Sequence, residues 1–171
     1  MIKFLFGVII GTGLVLLAGY LFATRGGLFM GTKGGPLPME RFVAHRALAA
    51  SIGQSSRDQS PLPADETNLL AGARVYQQND CVMCHGRLDQ PVPEVAKRFY
   101  PHAPHLLPPG HGVTDDPVGT TFWVVKNGIR FSGMPGFEGK LTDTEIWQVS
   151  LLLRNADKLP PPVQEVLRQA R

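Results

Sequence analysis

Two cysteines and a histidine lie within five positions of the stretch QQNDCVMCHGRLD, residues 77–89. Cys81 and Cys84 are the only cysteines in the 171-residue chain, and His85 directly follows the second of them. Residues of these types at this spacing could form a redox-active disulfide, bind a metal ion or attach a cofactor covalently. The rest of the chain decides between these three chemistries.

The surroundings of the motif argue against a redox disulfide and against a zinc site. A thioredoxin-like Cys-x-x-Cys pair belongs to a βαβ unit, and the sequence around Cys81 has no alternating strand pattern. A structural zinc site takes four nitrogen or sulfur ligands, yet there is no second Cys-x-x-Cys, and the histidines outside the motif are His45, His102, His105 and His111. Cys-x-x-Cys-His is the pattern of covalent c-type haem attachment. Each thiol adds to one haem vinyl group, and the adjacent histidine lies under the iron.

A haem iron that carries electrons needs a second axial ligand, and the stretch GIRFSGMPGF offers one. Met134 lies about fifty residues after the haem motif, between a glycine and a proline, in a loop suited to projecting a thioether onto a metal. His102, His105 and His111 are the alternative ligands and would give a bis-histidine haem of lower potential. His/Met ligation raises the reduction potential and closes the iron to small molecules.

Several segments have apolar residues at helical spacing. They predict helices over about 38–53, 66–79, 117–127 and 142–155. The second of these begins after Asp65 and leads directly into Cys81, and the last begins with Thr142 and Glu145 at the spacing of a capping box. No two alternating runs are present that could pair as strands. The predicted class is therefore all-α.

The amino-terminal residues 4–23 form an uncharged apolar run flanked by Lys3 and Arg25. Twenty helical residues span about 30 Å, the thickness of a bilayer hydrocarbon core. A cleaved signal peptide would end in small residues, whereas the candidate cleavage sites here contain bulky ones. We therefore predict an uncleaved transmembrane anchor over residues 1–25. Gly7 and Gly11 lie one turn apart, a spacing that allows close packing on another membrane helix.

Residues 26–64 are predicted to be a linker, and residues 65–171 a haem domain with a carboxy-terminal extension. The linker has a glycine-rich tether, an amphipathic helix near 38–53 and a polar stretch, 53–63. That helix would lie on lipid, pack on a partner or act as a solvated spacer. Residues 1–64 carry six basic and two acidic side chains, and residues 65–171 carry eleven basic and twelve acidic ones. The basic excess is thus confined to the front segment, and no basic stripe with interleaved aromatic residues indicates nucleic-acid binding.

With these features together, residues 66–157 resemble the class I c-type cytochromes, in the group of single-haem domains that often carry a membrane anchor. The resemblance rests on the helix entering Cys81–His85, the Gly-Met-Pro loop at Met134 and a final helix bearing an aromatic residue. It implies one haem c with His85 and Met134 as axial ligands. The implied architecture is a transmembrane helix, a flexible linker and a helical domain around the haem.

The resemblance also implies contacts that support the haem. The carbonyl of Pro104 would accept a hydrogen bond from Nδ1–H of His85, which fixes the ring and tunes the metal. Leu106 would pack on the face of the macrocycle. The first and last helices of the domain would cross closely, at Gly72 and Tyr76 against Trp147 and Leu151.

The predicted function is electron transfer between a redox protein donor and a redox protein acceptor of a respiratory or dehydrogenase chain, not enzymatic catalysis. Basic residues after the span would by themselves place the long carboxy-terminal part in the cytoplasm. Covalent haem attachment takes place outside the bacterial cytoplasm, however, so we expect a single-pass inner-membrane protein with its haem domain in the periplasm. The alternatives are a haem enzyme, a gas or redox sensor with a displaceable sixth ligand, and an electron-exit subunit of a larger oxidoreductase.

Overall fold

A computed structural model describes residues 1–28, 30–108, 110 and 112–169, which divide into the units Met1–Gly35 and Pro36–Arg171. The first unit contains helix α1, Ile2–Thr24, which has no buried residue. With a mean hydropathy of 2.2, α1 is the one helix in the described ranges that is long and apolar enough to cross a membrane. By length and composition, α1 is compatible with a membrane anchor. No other atom lies within 4 Å of where a Cβ would stand on Gly7 or Gly11, so a helix partner at these glycines stays a prediction.

The second unit is built from six helices in its described residues. They are α2 (Glu40–Ile52), α3 (Glu66–Gln78), α4 (Cys81–His85), α5 (Val118–Asn127), α6 (Asp143–Arg154) and α7 (Pro161–Arg168). Short 3₁₀ turns span Gly53–Arg57 and Ala96–Arg98. The described parts of the chain hold no β-strand, and the prediction of an all-α fold is confirmed. The ends of α2, α3, α5 and α6 lie within two residues of the predicted ends.

Helices α3 and α6 pack together at Gly72, where they form the centre of the core. A Cβ on Gly72 would collide with the carbonyl oxygen of Gln148 and would lie 3.1 Å from Cβ of Leu152. The close approach of the two backbones therefore requires glycine at this position. The sequence predicted that α3 would cross α6 near Trp147 and Leu151. In the structure the crossing is one residue later on α6, at Gln148 and Leu152.

Helix α5 covers a different side of α6 and explains this shift. The ring of Phe122 on α5 stacks on Trp147, with 4.0 Å between ring centroids and 19° between ring planes. Because Trp147 faces α5, the neighbouring positions on α6 face α3. The stack therefore attaches α5 to the core formed by α3 and α6.

The 3₁₀ turn Gly53–Arg57 packs against α5, although the sequence predicted that residues 53–63 are linker. Gly119 on α5 is buried. A Cβ on Gly119 would collide with the carbonyl oxygen of Ser55 and would lie 2.7 Å from that of Asp58. The contact is made by backbone atoms, so the polar side chains of this stretch gave no indication of it.

Helix α7 lies in the predicted carboxy-terminal extension, where no helix was predicted. It begins at Pro161, a favoured residue at the first helical position, and packs against α3. Val163 and Leu167 are fully buried. Arg168 donates two hydrogen bonds, of 3.0 and 2.9 Å, to a carboxylate oxygen of Asp89. The extension is therefore part of the packed domain.

Candidate haem site

The short helix α4 presents the motif side chains on one face. Asp80 has a φ of 60°, and this left-handed residue turns the chain from α3 into α4. Positions three and four apart in a helix are neighbours on its surface, so Cys84 and His85 both lie beside Cys81. Both cysteines are unpaired and half-buried. Burial raises the pKa of the Cys81 thiol to about 11, so this thiol is protonated at neutral pH.

The imidazole of His85 is held by the segment 104–106. Its Nδ1 lies 2.8 Å from the carbonyl oxygen of Pro104, and the N–H of Leu106 donates to the carbonyl of His85 at 3.1 Å. Burial lowers the pKa of His85, the Pro104 carbonyl partly opposes this, and His105 lowers the pKa further. The ring is therefore neutral at pH 7. With Nδ1 bonded to the carbonyl, Nε2 is the nitrogen left to bind a metal.

Helix α3 also fixes the turn that follows the histidine. The hydroxyl of Tyr76, a fully buried residue, donates to the carbonyl of Gly86 at 2.8 Å. Gly86 has a φ of +81°, and the ring of His105 occupies the place where its Cβ would project. Both observations require glycine at this position. The chain therefore leaves His85 along a path set by α3 and by residue 105.

An apolar cavity opens beside the motif and brings together Cys81, His85, Leu106 and Met134. Helices α3, α5 and α6 wall it with Val75, Val125, Val149 and Leu153. The free volume is about 30 Å³, so the walls have to separate to admit a macrocycle. A larger groove of about 450 Å³ runs along the loop 90–94, and its lining includes neither a thiol nor an imidazole. The candidate ligands therefore meet at the smaller cavity.

The loop that carries Met134 is closed by its own hydrogen bonds. The N–H of Met134 donates to Oγ of Ser132 at 3.1 Å, and the carbonyl of Met134 accepts from the N–H of Ile129 at 3.1 Å. Met134 is half-buried and packs against the core cluster. The sequence indicated an exposed methionine on a projecting loop, whereas the structure directs this side chain inward onto the cavity.

Two of the three alternative histidine ligands, His102 and His105, lie outside this cavity. His102 is exposed. The ring of His105 packs against Gly86 and Gly110, and its buried Nε2 has no hydrogen-bond partner in the described part of the chain. Neither His102 nor His105 lines the cavity that contains His85. His111 lies outside the residues that the structure describes. Of the described candidates for the sixth ligand, Met134 is the one that shares the cavity with His85.

Comparison with known proteins gave a match over this part of the chain. Residues 67–151, about half of the chain, match the family model described as cytochrome c oxidase, cbb3-type, subunit III. Residues 67–151 are a cytochrome c domain. This domain extends from α3 into α6 and includes the haem motif and the Met134 loop. A cytochrome c domain implies a covalently bound haem and haem-based electron transfer. No curated protein and no solved structure matched the chain.

The residues of this cytochrome domain fit a haem. The candidate donors are two thiols one helical turn apart, an imidazole with its Nδ1 engaged, and a thioether; the Cys81 thiol, the imidazole and the thioether share the apolar cavity. The described residues contain no cluster of three or more histidine, cysteine or carboxylate side chains suited to a bare metal ion. The sequence predicted these candidate donors but not the hydroxyl of Tyr76, because a buried tyrosine on a helix resembles any other core residue.

Proposed function

We propose that the protein is a membrane-anchored, single-haem electron carrier. In this proposal Cys81 and Cys84 form the thioethers of one haem c, and His85 and Met134 are its axial ligands. The observation that carries the proposal is the shared cavity, where a thiol, an imidazole with one free nitrogen and a thioether open onto apolar walls. These are the donors of a His/Met c-type site, and their elements come from distant parts of the chain.

The side chains around the cavity determine what such a site does. Haem iron supplies one-electron chemistry by changing between its ferric and ferrous states. The apolar walls exclude water, and exclusion of water and His/Met ligation are two of the factors that set the potential of a haem protein. Leu106 closes the cavity and is itself buried. Pro104 orients the imidazole through its carbonyl. These roles are binding and positioning, as expected of a carrier rather than an enzyme.

The location that we propose is the periplasmic face of a bacterial inner membrane. Helix α1 is compatible with a single membrane span, and thioether formation at a Cys-x-x-Cys-His motif takes place outside the cytoplasm. The amino terminus would then be cytoplasmic. Its redox partners would be a donor and an acceptor protein at the membrane, of a respiratory or dehydrogenase chain.

A second candidate is an electron-exit subunit of a larger oxidoreductase. The description of the matching family model, which names an oxidase subunit, favours this candidate. The two candidates differ in what is retained when the protein is extracted in mild detergent. A carrier should elute alone and a subunit with stoichiometric partners, which size-exclusion chromatography and mass spectrometry of the haem-containing fraction would distinguish.

The proposed ligation is tested by the pair Met134→His and Met134→Ala. Replacing the thioether by imidazole should keep a low-spin haem and lower its reduction potential, because His/Met ligation has the higher potential. Met134→Ala should open the iron to carbon monoxide. Potentiometric titration and absorption spectra of the reduced proteins measure both effects. The control is Met39→Ala, at an exposed methionine, which should match the parent.

Covalent attachment of the haem is tested with the parent protein and its two cysteine variants. Its haem should remain on the polypeptide in a denaturing gel stained for haem, and both Cys81→Ala and Cys84→Ala should weaken the stained band. An unchanged potential and spectrum in both Met134 variants would exclude Met134 as the ligand. A high-spin spectrum or rapid carbon monoxide binding by the reduced parent would favour a haem enzyme or a gas sensor over a carrier.

A further inference from the structure

Helix α2 turns one side toward its own domain and leaves the opposite side uncovered. Ile52 is buried, and Leu48, one turn earlier, is half-buried. Met39, Phe42 and Val43, at the start of the helix, are 69, 57 and 57 % exposed. At 3.6 residues per turn, Val43 lies on the side opposite Leu48 and Ile52, and Phe42 lies at the edge of that side. The uncovered side of α2 is therefore apolar at its amino-terminal end.

One basic side chain, Arg46, lies on this apolar side, and the chain leading into α2 is basic in sequence. The guanidinium of Arg46 lies 5.5 Å from the centroid of the Phe42 ring, one turn along the same side. Along the sequence from Arg25 to Arg46, counting both, there are four basic residues and one acidic residue, Glu40. The Glu40 carboxylate accepts the N–H of Leu37 at 2.6 Å. Residues 65–171 have no comparable excess, since they hold eleven basic and twelve acidic side chains.

Burial within the protein accounts for little of the stability of α2. The helix has 13 residues, of which Ile52 alone is buried. Isolated helices of about 12–15 residues or fewer are marginal in water, and most helices in proteins are stabilised by packing of an apolar face. A surface that covered Met39, Phe42 and Val43 would supply the packing that α2 lacks.

We propose that the uncovered side of α2 binds an anionic lipid surface. Met39, Phe42 and Val43 would enter the boundary between headgroups and acyl chains, while Arg46 reaches anionic headgroups. The proposal rests on the proposed membrane anchor, because fifteen residues separate Thr24 from Glu40. As a coil they reach about 20 Å, so the bilayer is the surface at the highest effective concentration.

Binding of α2 to the membrane would restrict the orientations of the haem domain during electron transfer. Helix α2 belongs to the same unit as the cytochrome fold, Pro36–Arg171, and Ile52 leads directly into the turn that packs on α5. A bound α2 would therefore limit the orientations in which the haem domain meets a membrane partner. Release of α2 would allow the domain to turn and to reach farther from the membrane.

The test uses the full-length haem protein in nanodiscs of brominated phosphatidylcholine, with or without phosphatidylglycerol. Phe42→Trp places a fluorescent reporter in the proposed interface, and the parent, with its two tryptophans, gives the background. Bromines should quench the reporter more strongly in the discs with phosphatidylglycerol. Adding Arg46→Gln should shift the ratio of bound to free helix by roughly fivefold. The matched control is Arg74→Gln, which removes one exposed charge elsewhere and should leave the quenching unchanged.

Three outcomes would overturn the proposal. They are a reporter that is not quenched in either disc, equal quenching in both discs, and quenching that depends on two protein copies per disc. The last would assign the uncovered side to a second copy of the chain. Failure of the proposed function is seen separately, because a protein that leaves the discs lacks a membrane anchor, and a changed absorption spectrum reports on the haem.

Discussion

At the scale of single residues, Tyr76 connects the haem motif to the helical core. Its hydroxyl donates to the carbonyl of Gly86 at 2.8 Å, in a fully buried position. Tyr76→Phe leaves that carbonyl without a partner, which costs about 1–3 kcal/mol. We expect the free energy of unfolding to fall by that amount in guanidinium titrations of the haem protein. Tyr100→Phe is the control, because Tyr100 is half-buried, and it should change stability little.

The buried hydroxyl of Tyr76 should also make the stability of the protein depend on pH. Burial raises the pKa of Tyr76 well above 10.0. As the pH rises, the unfolded chain loses the phenolic proton first while the folded chain keeps it. The contribution of Tyr76 to stability is therefore complete below about pH 10 and falls above it. The difference in stability between parent and Tyr76→Phe should shrink above pH 10, and a constant difference would contradict the buried hydroxyl.

Residues that belong to a short motif could be predicted from the sequence. Residues whose role depends on contacts between distant parts of the chain could not. Thioether attachment demands a fixed spacing, which made Cys81, Cys84 and His85 candidates for haem attachment, and a methionine between glycine and proline is a local signal for a ligand loop. The bond from Tyr76 to Gly86 and the packing of His105 on Gly86 depend on how the chain turns after α4. Their geometry depends on the left-handed backbone of Gly86, and this conformation is not apparent from residue type alone.

At the scale of elements, helices with strong local signals were predicted and weakly marked elements were missed. Helix α6 begins with a capping box in which Thr142 and Glu145 bond reciprocally, as their spacing indicated. Helix α7 has only eight residues, and its apolar residues Val163, Val166 and Leu167 form a single repeat that was overlooked in the proline-rich carboxy-terminal sequence. The turn at Gly53–Arg57 packs through carbonyl oxygens on Gly119, and every residue type carries such an oxygen.

Two interactions attach helix α7 to the domain, and their contributions to stability should differ. Leu167 is fully buried, and Leu→Ala at such sites costs about 2–5 kcal/mol. The ion pair of Arg168 with Asp89 is roughly half-exposed on both side chains, and such pairs contribute about 0–1 kcal/mol. In denaturant titrations Leu167→Ala should therefore be clearly less stable than Arg168→Gln. The reverse order would mean that the ion pair, not the apolar contact, attaches α7.

At the scale of the whole molecule, the proposed membrane anchor and the cytochrome domain lie in separate units of the chain. The boundary between the two units can be tested. The sequence predicted that the domain begins at residue 65, whereas Pro36–Arg171 form one unit in the structure. A truncated protein that begins at Pro36 should melt like the parent. One that begins at Leu62 lacks the turn packed on Gly119 and should melt several degrees lower by calorimetry. Equal melting temperatures would support the predicted boundary.

Because the two units are separate, we expect α1 to affect electron delivery to membrane partners. We do not expect it to affect the spectrum or the reduction potential of the haem. All four proposed haem ligands lie in Pro36–Arg171, so the protein that begins at Pro36, exported behind a cleavable signal, should keep the spectrum and potential of the parent. Confinement by a short coil raises the concentration of a domain near membrane partners. Electron delivery to membrane enzymes should therefore fall at equal protein amount and recover partly when more protein is added.

Replacing α1 by an unrelated membrane-spanning helix separates confinement from specific contact. If confinement is sufficient, the replacement should restore turnover to the level of the parent, and Gly7→Leu with Gly11→Leu in the native helix should have no effect. If the replacement fails while the two glycine substitutions also reduce turnover, α1 binds a membrane partner through its glycine face. Undiminished turnover without any anchor would instead contradict confinement and indicate a soluble redox partner. The measurement in each case is the rate of oxygen or quinol turnover per haem in reconstituted membranes.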